Sequence, residues 1–507
     1  MITAGTGPQP WRQLAAALLT SLGAAAVAAT AVTAASPAVP ESAYFEHEGL
    51  RVELDARPLG GAGGEVIRAY QDVELGIRVH EMGDADKTVS GLQPLAWLTR
   101  REDREAMLEG EACKRHIRGL LAGRLARNAD VNLNEYLLIT LDDNNSLSII
   151  DPQIESSKTK TLGIVSLASK GVDFVLAPDR RRVLVTLPLK GQVAEADIFE
   201  RKARYLGVGG RPQRIALQPD GRFAWVGDET GDEVVAIDVD EFEVAARFSV
   251  GSGPHELAFA REEPRAFVIG RADRSVAIVD TRTLEHLGDV SLEAAPVAIA
   301  YSDHSRRAYV AIEGGTILVV DGKRREVSGT IRLPAPASAF AVSPDGRFGF
   351  AVHRETDSVT IVDTASDRIV DTVATGSEPH DIAFSDAFAY IQHAGTGQAV
   401  LIDLNVLSRG DTPTTAPVAL GQRPPVSRAD PTIAPTVVAL PEGGGVLALN
   451  GADRSIYHFM EGMNAPMGAY QTYPWRARGV LLSDRTIREV DKGHYATEFQ
   501  APSAGEY

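Results

Sequence analysis

The chain has 507 residues, 44% hydrophobic and 23% charged, a composition that suits a globular protein with more than one core. Its formal charge of -17 argues against nucleic acid or an anionic membrane surface as a partner, because both repel an acidic protein. Cys113 is the sole cysteine, so neither an internal disulfide framework nor a CxxCH haem attachment is available.

In chain order, residues 1–40 come first. Their apolar run, 13–35, follows the single cation Arg12 and leads into Ser36-Pro37-Ala38. Alanine and threonine dominate it, which makes it weakly hydrophobic for a permanent span and places it where a secretory signal belongs. An uncleaved anchor is the alternative. Either way the body is expected to be exported, to the periplasm or cell surface, with membrane contact only through this segment. Residues 41–97 carry the alternating runs GLRVELDARPL, DVELGIRVHEM and TVSGLQPLAWL, which predict a small β-sandwich. Residues 98–131 predict a helical linker, with Leu108, Ile117, Leu120, Leu121 and Leu125 along one stripe. Cys113 sits there beside Lys114, Arg115 and His116, neighbours that favour thiolate.

From 132 to 461 the chain repeats. GRPQRIALQPDGRFAWVGDETGDEVVAIDVDEFEVAARFSVG, GPHELAFAREEPRAFVIGRADRSVAIVDTRTLEHLGDVSL and PASAFAVSPDGRFGFAVHRETDSVTIVDTASDRIVDTVATG align as units of four short alternating strands. Pro219-Asp220-Gly221 and Pro344-Asp345-Gly346 supply tight turns between the first two strands. The third run ends in aspartate seven times: Asp151, Asp197, Asp238, Asp280, Asp321, Asp363 and Asp403, spaced by 46, 41, 42, 41, 42 and 40. A carboxylate there accepts the N–H groups of the next turn, so these acids are expected to shape turns and not to catalyse. A four-stranded unit cannot bury both faces alone, so the units are expected to close radially. The fold class is therefore all-β, a β-propeller of seven or eight four-stranded blades. The count favours eight, and seven results if the terminal strands share a blade. Residues 409–435 read as a long Pro-rich loop.

The stretches AVSPDGRFGF and SVTIVDTASDRIVDTVATG resemble the YVTN repeat of bacterial periplasmic and surface propellers. They are also similar to the eight-bladed haem d1 domain of cytochrome cd1 nitrite reductase, a likeness shared with cytochrome D1 domain-containing proteins. The resemblance covers about 136–460 and implies the propeller, while such folds serve as scaffolds, cofactor holders and enzymes. Residues 41–97 look like the immunoglobulin-like modules of exported proteins. Residues 462–507 read as an incomplete second immunoglobulin-like sandwich, so removing 480–507 is expected to leave the propeller's stability nearly unchanged.

Loop topology gathers a candidate site. His255 and His380 begin the first strand of their units, and His353 and His393 end the second, which puts all four on one face of the ring. Imidazole suits haem iron, copper or zinc, so haem or copper is the possible cofactor: a metal needs at least two rings to converge, while haem needs only one axial histidine in a flat pocket of apolar and cationic groups at the channel mouth. Solvated loop histidines are the plain alternative. Gln213 and Arg214 occupy the position of His255 in the preceding unit and could reach an anionic ligand. Asp228 and Glu229 could complete a metal site. Met460, Met463 and Met467 place three soft thioethers within eight residues, suited to Cu(I) or to filling a gap between domains. The leading expectation is an exported propeller that serves as a binding scaffold or accessory in a periplasmic respiratory or metal-linked system. Its partner would be a periplasmic protein or a small ligand. A haem- or metal-binding redox propeller is the alternative. A propeller lactonase is a further one, and it would need a His/Glu/Arg cluster at the channel.

Overall fold

The computed structural model describes residues 43–501, apart from 48, 60–65, 70, 93, 99–130, 134–135, 153–159, 252, 254, 394–397, 421–432, 441–443, 461–462, 464 and 473; before residue 43 it describes only Thr3 and Ala4. The apolar run 13–35, the linker helix over 101–127 and Cys113 lie outside the described residues. Among the described residues no helix is long and apolar enough to cross a membrane.

The chain divides into two compact units, 137–483 and a second made of 1–136 with 484–507. The larger unit is a β-propeller with eight antiparallel four-stranded sheets. Seven of them use consecutive strands, within 174–207, 212–249, 257–291, 296–332, 339–374, 379–419 and 437–471, and form the second to eighth blades. The first blade takes three strands from 136–166 and its fourth, Ala477–Asp484, from the other end of the propeller. Terminal strands do share a blade. The count is still eight, because 437–471 supplies four strands of its own.

The alternation read in the sequence becomes packing between blades. Second and third strands, such as Phe348–His353 and Ser358–Asp363, are buried on both faces because each blade is sandwiched by two others. Each successive pair of blades shares an apolar cluster; one joins Leu184 and Val193 to Ile215 and Val226, another joins Phe350 and Ile361 to Ile391 and Val400. The two Pro-Asp-Gly turns form as expected. Gly221 and Gly346 both stand at φ 77°, and a side chain at Gly221 would run into Pro178.

Five of the aspartates that end third strands, Asp197, Asp238, Asp280, Asp321 and Asp363, make the turns assigned to them. Asp197 Oδ1 accepts from the N–H groups of Phe199 and Glu200 at 2.9 and 2.8 Å, and Asp280 Oδ1 from Arg282 and Thr283 at 2.8 and 3.0 Å. Asp403 instead caps a short helix, Leu404–Arg409, that Gly410 ends at φ 81°.

The smaller unit corrects the reading of the tail. Its main sheet has six strands, in which His494–Gln500 pairs along Asp72–Glu81, from Asp72↔Gln500 to Arg78↔His494. Residues 462–507 are thus no second sandwich. The strands up to 484 belong to the propeller, and those after it complete the sheet that begins at residue 43. Tyr495 and Phe499 pack with Val52, Val73 and Ile77, which is the apolar face that the tail lacks on its own.

Candidate functional site at the axis of the ring

On the inner strand Pro212–Leu217 of the third blade, Arg214 directly precedes the buried Ile215. Its Nη1 donates to the Ile433 carbonyl at 2.8 Å, ahead of the eighth blade, and its Nη2 to Glu256 Oε1 of the fourth blade at 3.1 Å. Burial opposes the guanidinium charge, but Glu256, Asp173 of the second blade and Asp381 of the seventh outweigh it and raise the pKa. A side chain of the third blade that bonds a carbonyl ahead of the eighth and an acid of the fourth, within reach of the charges of Asp173 and Asp381, stands toward the axis. It is enclosed by protein yet 37% exposed, as befits a group lining a channel.

Asp173 lies below it, buried. Its carboxylate accepts from Phe174 N–H at 2.9 Å and Ile215 N–H at 3.1 Å. Burial nonetheless pushes its pKa up to about 7, against the pull of Arg214 and the two backbone donors. Asp381 pairs across the strands with Gln392, and Thr436 Oγ1 donates to both side chains.

The four histidines separate into different environments. His353 is fully buried with both nitrogens engaged, Nδ1 with Pro336 O at 2.9 Å and Nε2 with Thr360 Oγ1 at 2.7 Å, so it has no lone pair for a ligand. His255 directs Nδ1 to Ile269 O at 3.1 Å, while the Gly253 backbone crowds Nε2 so closely that a Cβ there would come within 3.2 Å. His353 is thus a packing residue, whereas His255 Nε2 is buried without a hydrogen-bond partner. His380 and His393 are neighbours: His393 has its pKa lowered by burial first and also by the charge of His380. Burial likewise lowers His380, against the opposing pull of Asp381. His393 Nδ1 faces Gln398 O at 3.2 Å, so the neutral ring carries its proton there and leaves a lone pair on Nε2. That Nε2, His380 Nδ1 and Gln392 Nε2 are all buried without a hydrogen-bond partner.

The four imidazoles do not gather into one site: both nitrogens of His353 are engaged, and the cavity in the third blade, about 120 Å³ between Gly209, Pro212, Asp228 and Arg247, holds no histidine. Asp228 and Glu229 make no metal site either. Asp228 accepts from the N–H groups of Arg211 and Thr230 at 2.8 and 2.9 Å, and Glu229 pairs with Gln213 Nε2 and Arg211. Gln213 thus faces an acid, and of the Gln213–Arg214 pair it is Arg214 that reaches the axis. Among the described residues no three His, Cys, Asp or Glu side chains gather to hold a metal. Met460, Met463 and Met467 are 44%, 47% and 52% exposed, so they do not fill a gap.

Reading for histidine alone missed Asp173, Glu256, Asp381, Gln392 and Thr436. One aligned column contained most of the signal. The residue after the histidine position reads Asp173, Arg214, Glu256, Asp381 and Thr436 in five units, polar each time where a strand is about to begin.

A family model described as a lactonase, 7-bladed beta-propeller, matches residues 208–422, which span five of the eight blades. No curated protein matches the chain. Among solved structures, the chain is similar to a dihydro-heme d1 dehydrogenase, NirN, in complex with DHE, at 12% identity and a TM-score of 0.54, with 71% of this chain and 78% of that one covered. It also matches Kuenenia stuttgartiensis hydrazine synthase at 19% identity and a TM-score of 0.41, covering 49% and 76%. A functionally unknown protein from Desulfotomaculum acetoxidans matches at 12% identity and 0.46, covering 69% and 98%. At these identities the likeness is one of fold.

Proposed function

We propose that this chain is an exported binding propeller, an accessory of a periplasmic system, that takes a small hydroxylated ligand at the axial site. The observation behind this reading is the trio of buried polar atoms without partners, His380 Nδ1, Gln392 Nε2 and His393 Nε2. Leaving such atoms dry costs about 1–3 kcal/mol each, so a ligand that satisfies them gains that much selectivity. His393 Nε2 accepts on one face of the strand Phe388–His393 and Gln392 Nε2 donates on the other, and a hydroxyl group answers either. Arg214, whose charge Asp381 of the seventh blade helps to support, adds a donor for a carbonyl or carboxylate oxygen.

A second reading, lactone hydrolysis, is favoured by the family match over 208–422, which takes in Arg214, Glu256, His380 and His393. Asp173, poised near neutrality beside Arg214, is suited to accept a proton from water, and the guanidinium to stabilise an oxyanion. Glucono-δ-lactone and glucose test both readings, by calorimetric binding and by hydrolysis above the spontaneous rate, in the native chain and in Arg214→Met and Gln392→Leu. Binding without turnover, weakened at least tenfold by either variant, supports the scaffold. Turnover lost in Arg214→Met supports the lactonase. If neither compound binds or reacts, and a wider panel of sugars and sugar acids gives no thermal shift, the axial site is not a ligand site of this class.

A further inference from the structure

The eighth blade carries a second group of side chains that the axial site leaves unused. Half of the chain's six methionines, Met460, Met463 and Met467, stand at the end of its third strand and in the loop after it, all largely in water. His458 lies on the same strand, two residues before Met460. It is 8% exposed, and neither ring nitrogen has a hydrogen-bond partner. A buried imidazole without a partner is costly.

The strand register brings the imidazole and the first thioether together. His458 and Met460 are two residues apart on the strand Ser455–Met460, so they leave it on the same face. Across the ladder, Met460 pairs with Gly445 and His458 with Leu447. A Cβ on Gly445 would lie 3.6 Å from His458 Nε2, so the ring reaches along the strand into the space that the glycine leaves opposite Met460. Backbone bonds anchor the other two methionines nearby. Met463 N–H donates to Met460 O at 3.1 Å, and Met467 N–H to His458 O at 2.8 Å.

We propose that His458 Nε2 and the thioethers of Met460, Met463 and Met467 form a site for a soft monovalent metal ion, Cu(I), at the tip of the eighth blade. The donor chemistry selects the ion. One neutral imidazole with neutral thioethers offers no charge to a hard cation, whereas sulfur donors hold Cu(I) well. Glycine at 445 is set by its other neighbours, since a Cβ there would come within 2.8 Å of Leu440 Cδ1 and of the Phe459 carbonyl.

The test is anaerobic Cu(I) titration of the full chain against a chromophoric Cu(I) chelator, in a Cys113→Ser background so that the lone thiol cannot compete. One equivalent is expected to bind, with both nitrogen and sulfur scattering in X-ray absorption. His458→Leu, Met460→Leu and the triple Met460→Leu/Met463→Leu/Met467→Leu variant should each weaken binding at least tenfold. Thermal unfolding of the metal-free variants should match the parent or exceed it, since leucine fills the same volume and relieves an unpartnered ring. Binding below one equivalent, a site without sulfur, or a triple variant that keeps the parental affinity would overturn the proposal.

Discussion

Asp142 shows how a single buried carboxyl couples the propeller to pH. It has no exposed surface, and it accepts from the hydroxyls of Thr140, Ser146 and Ser148 at 2.8, 3.0 and 2.6 Å. Burial outweighs these donors and pushes its pKa up from 3.8 to about 6. The folded chain therefore holds this proton more tightly than the unfolded chain does. The associated stability is complete below pH 3.8 and is lost as pH rises through about 6; Asp173 acts in the same sense up to about 7. Asp280, whose pKa is lowered chiefly by the Thr283 N–H, works the other way, and its contribution is lost as pH falls below 3.8. Asp142→Asn keeps an amide among the three hydroxyls without a charge to bury. It should flatten the fall in melting temperature between about pH 4 and 6, and by pH 7.5 it should recover at most about 3 kcal/mol, the equivalent of roughly two pKa units. Unfolding curves recorded across that range decide the matter, and parallel pH profiles for parent and variant would exclude Asp142 as the source.

At the scale of the strand and turn, the third-strand aspartates explain why the repeat was legible. Asp280 Oδ1 takes two N–H groups, and Leu284, at φ 58°, returns its own N–H to Asp280 O at 2.9 Å. The same left-handed position recurs at Arg201, Phe242 and Arg325, each four residues after its aspartate. None of these is glycine, so the carboxylate must hold a backbone conformation that costs an L-residue about 1–2 kcal/mol. Asp280→Ala should lower stability by about 1–2 kcal/mol, and Asp280→Asn by much less, because the amide oxygen still accepts. Equal losses in the two variants would show that the charge, and not the turn, is what counts. Turn chemistry and alternation are local, and this is why the blades could be read from the chain alone. The axial site is not local. Arg214 meets Glu256, Asp173, Asp381 and Ile433, which lie 42, 41, 167 and 219 residues away along the chain, and only ring closure brings them together. His353 was misread for a similar reason. Its place at the end of a second strand was right, but its bond to Thr360 depends on a cross-strand pairing that the histidine's own position does not reveal.

At the scale of the whole propeller, stability depends on how the ring is shut. The strand Ala477–Asp484 pairs with Tyr136–Asp142, across more than 330 residues of chain. No periodicity reports such a partner, and so the tail looked detachable. Val480, fully buried, donates its N–H to Pro435 O at 2.8 Å on the eighth-blade side. Gly479 sits where a Cβ would come within 2.7 Å of Ala434 and 2.8 Å of Phe174, so this strand is wedged between the eighth blade and the second. Arg478 donates to Gly171 O at 3.2 Å and Ser483 Oγ to Arg180 O at 2.6 Å, both within the second-blade segment. Losing the strand would forfeit about 1.5–3 kcal/mol for Val480 alone and leave the backbone of Tyr136–Asp142 unpaired beside the axis. Against a net stability of about 5–15 kcal/mol for a domain, that is enough to open the ring. Two truncations distinguish the closing strand from the residues beyond it. A chain ending at 484 keeps the strand and loses only His494–Gln500 and Arg488–Asp491 from the smaller unit, so the propeller's transition should stay close to that of the full chain in near-ultraviolet circular dichroism. A chain ending at 476 should unfold at a much lower temperature or fail to show a cooperative transition. Equal transitions for the two would mean that the eight blades hold together without their shared first sheet, and the closure argument would fall.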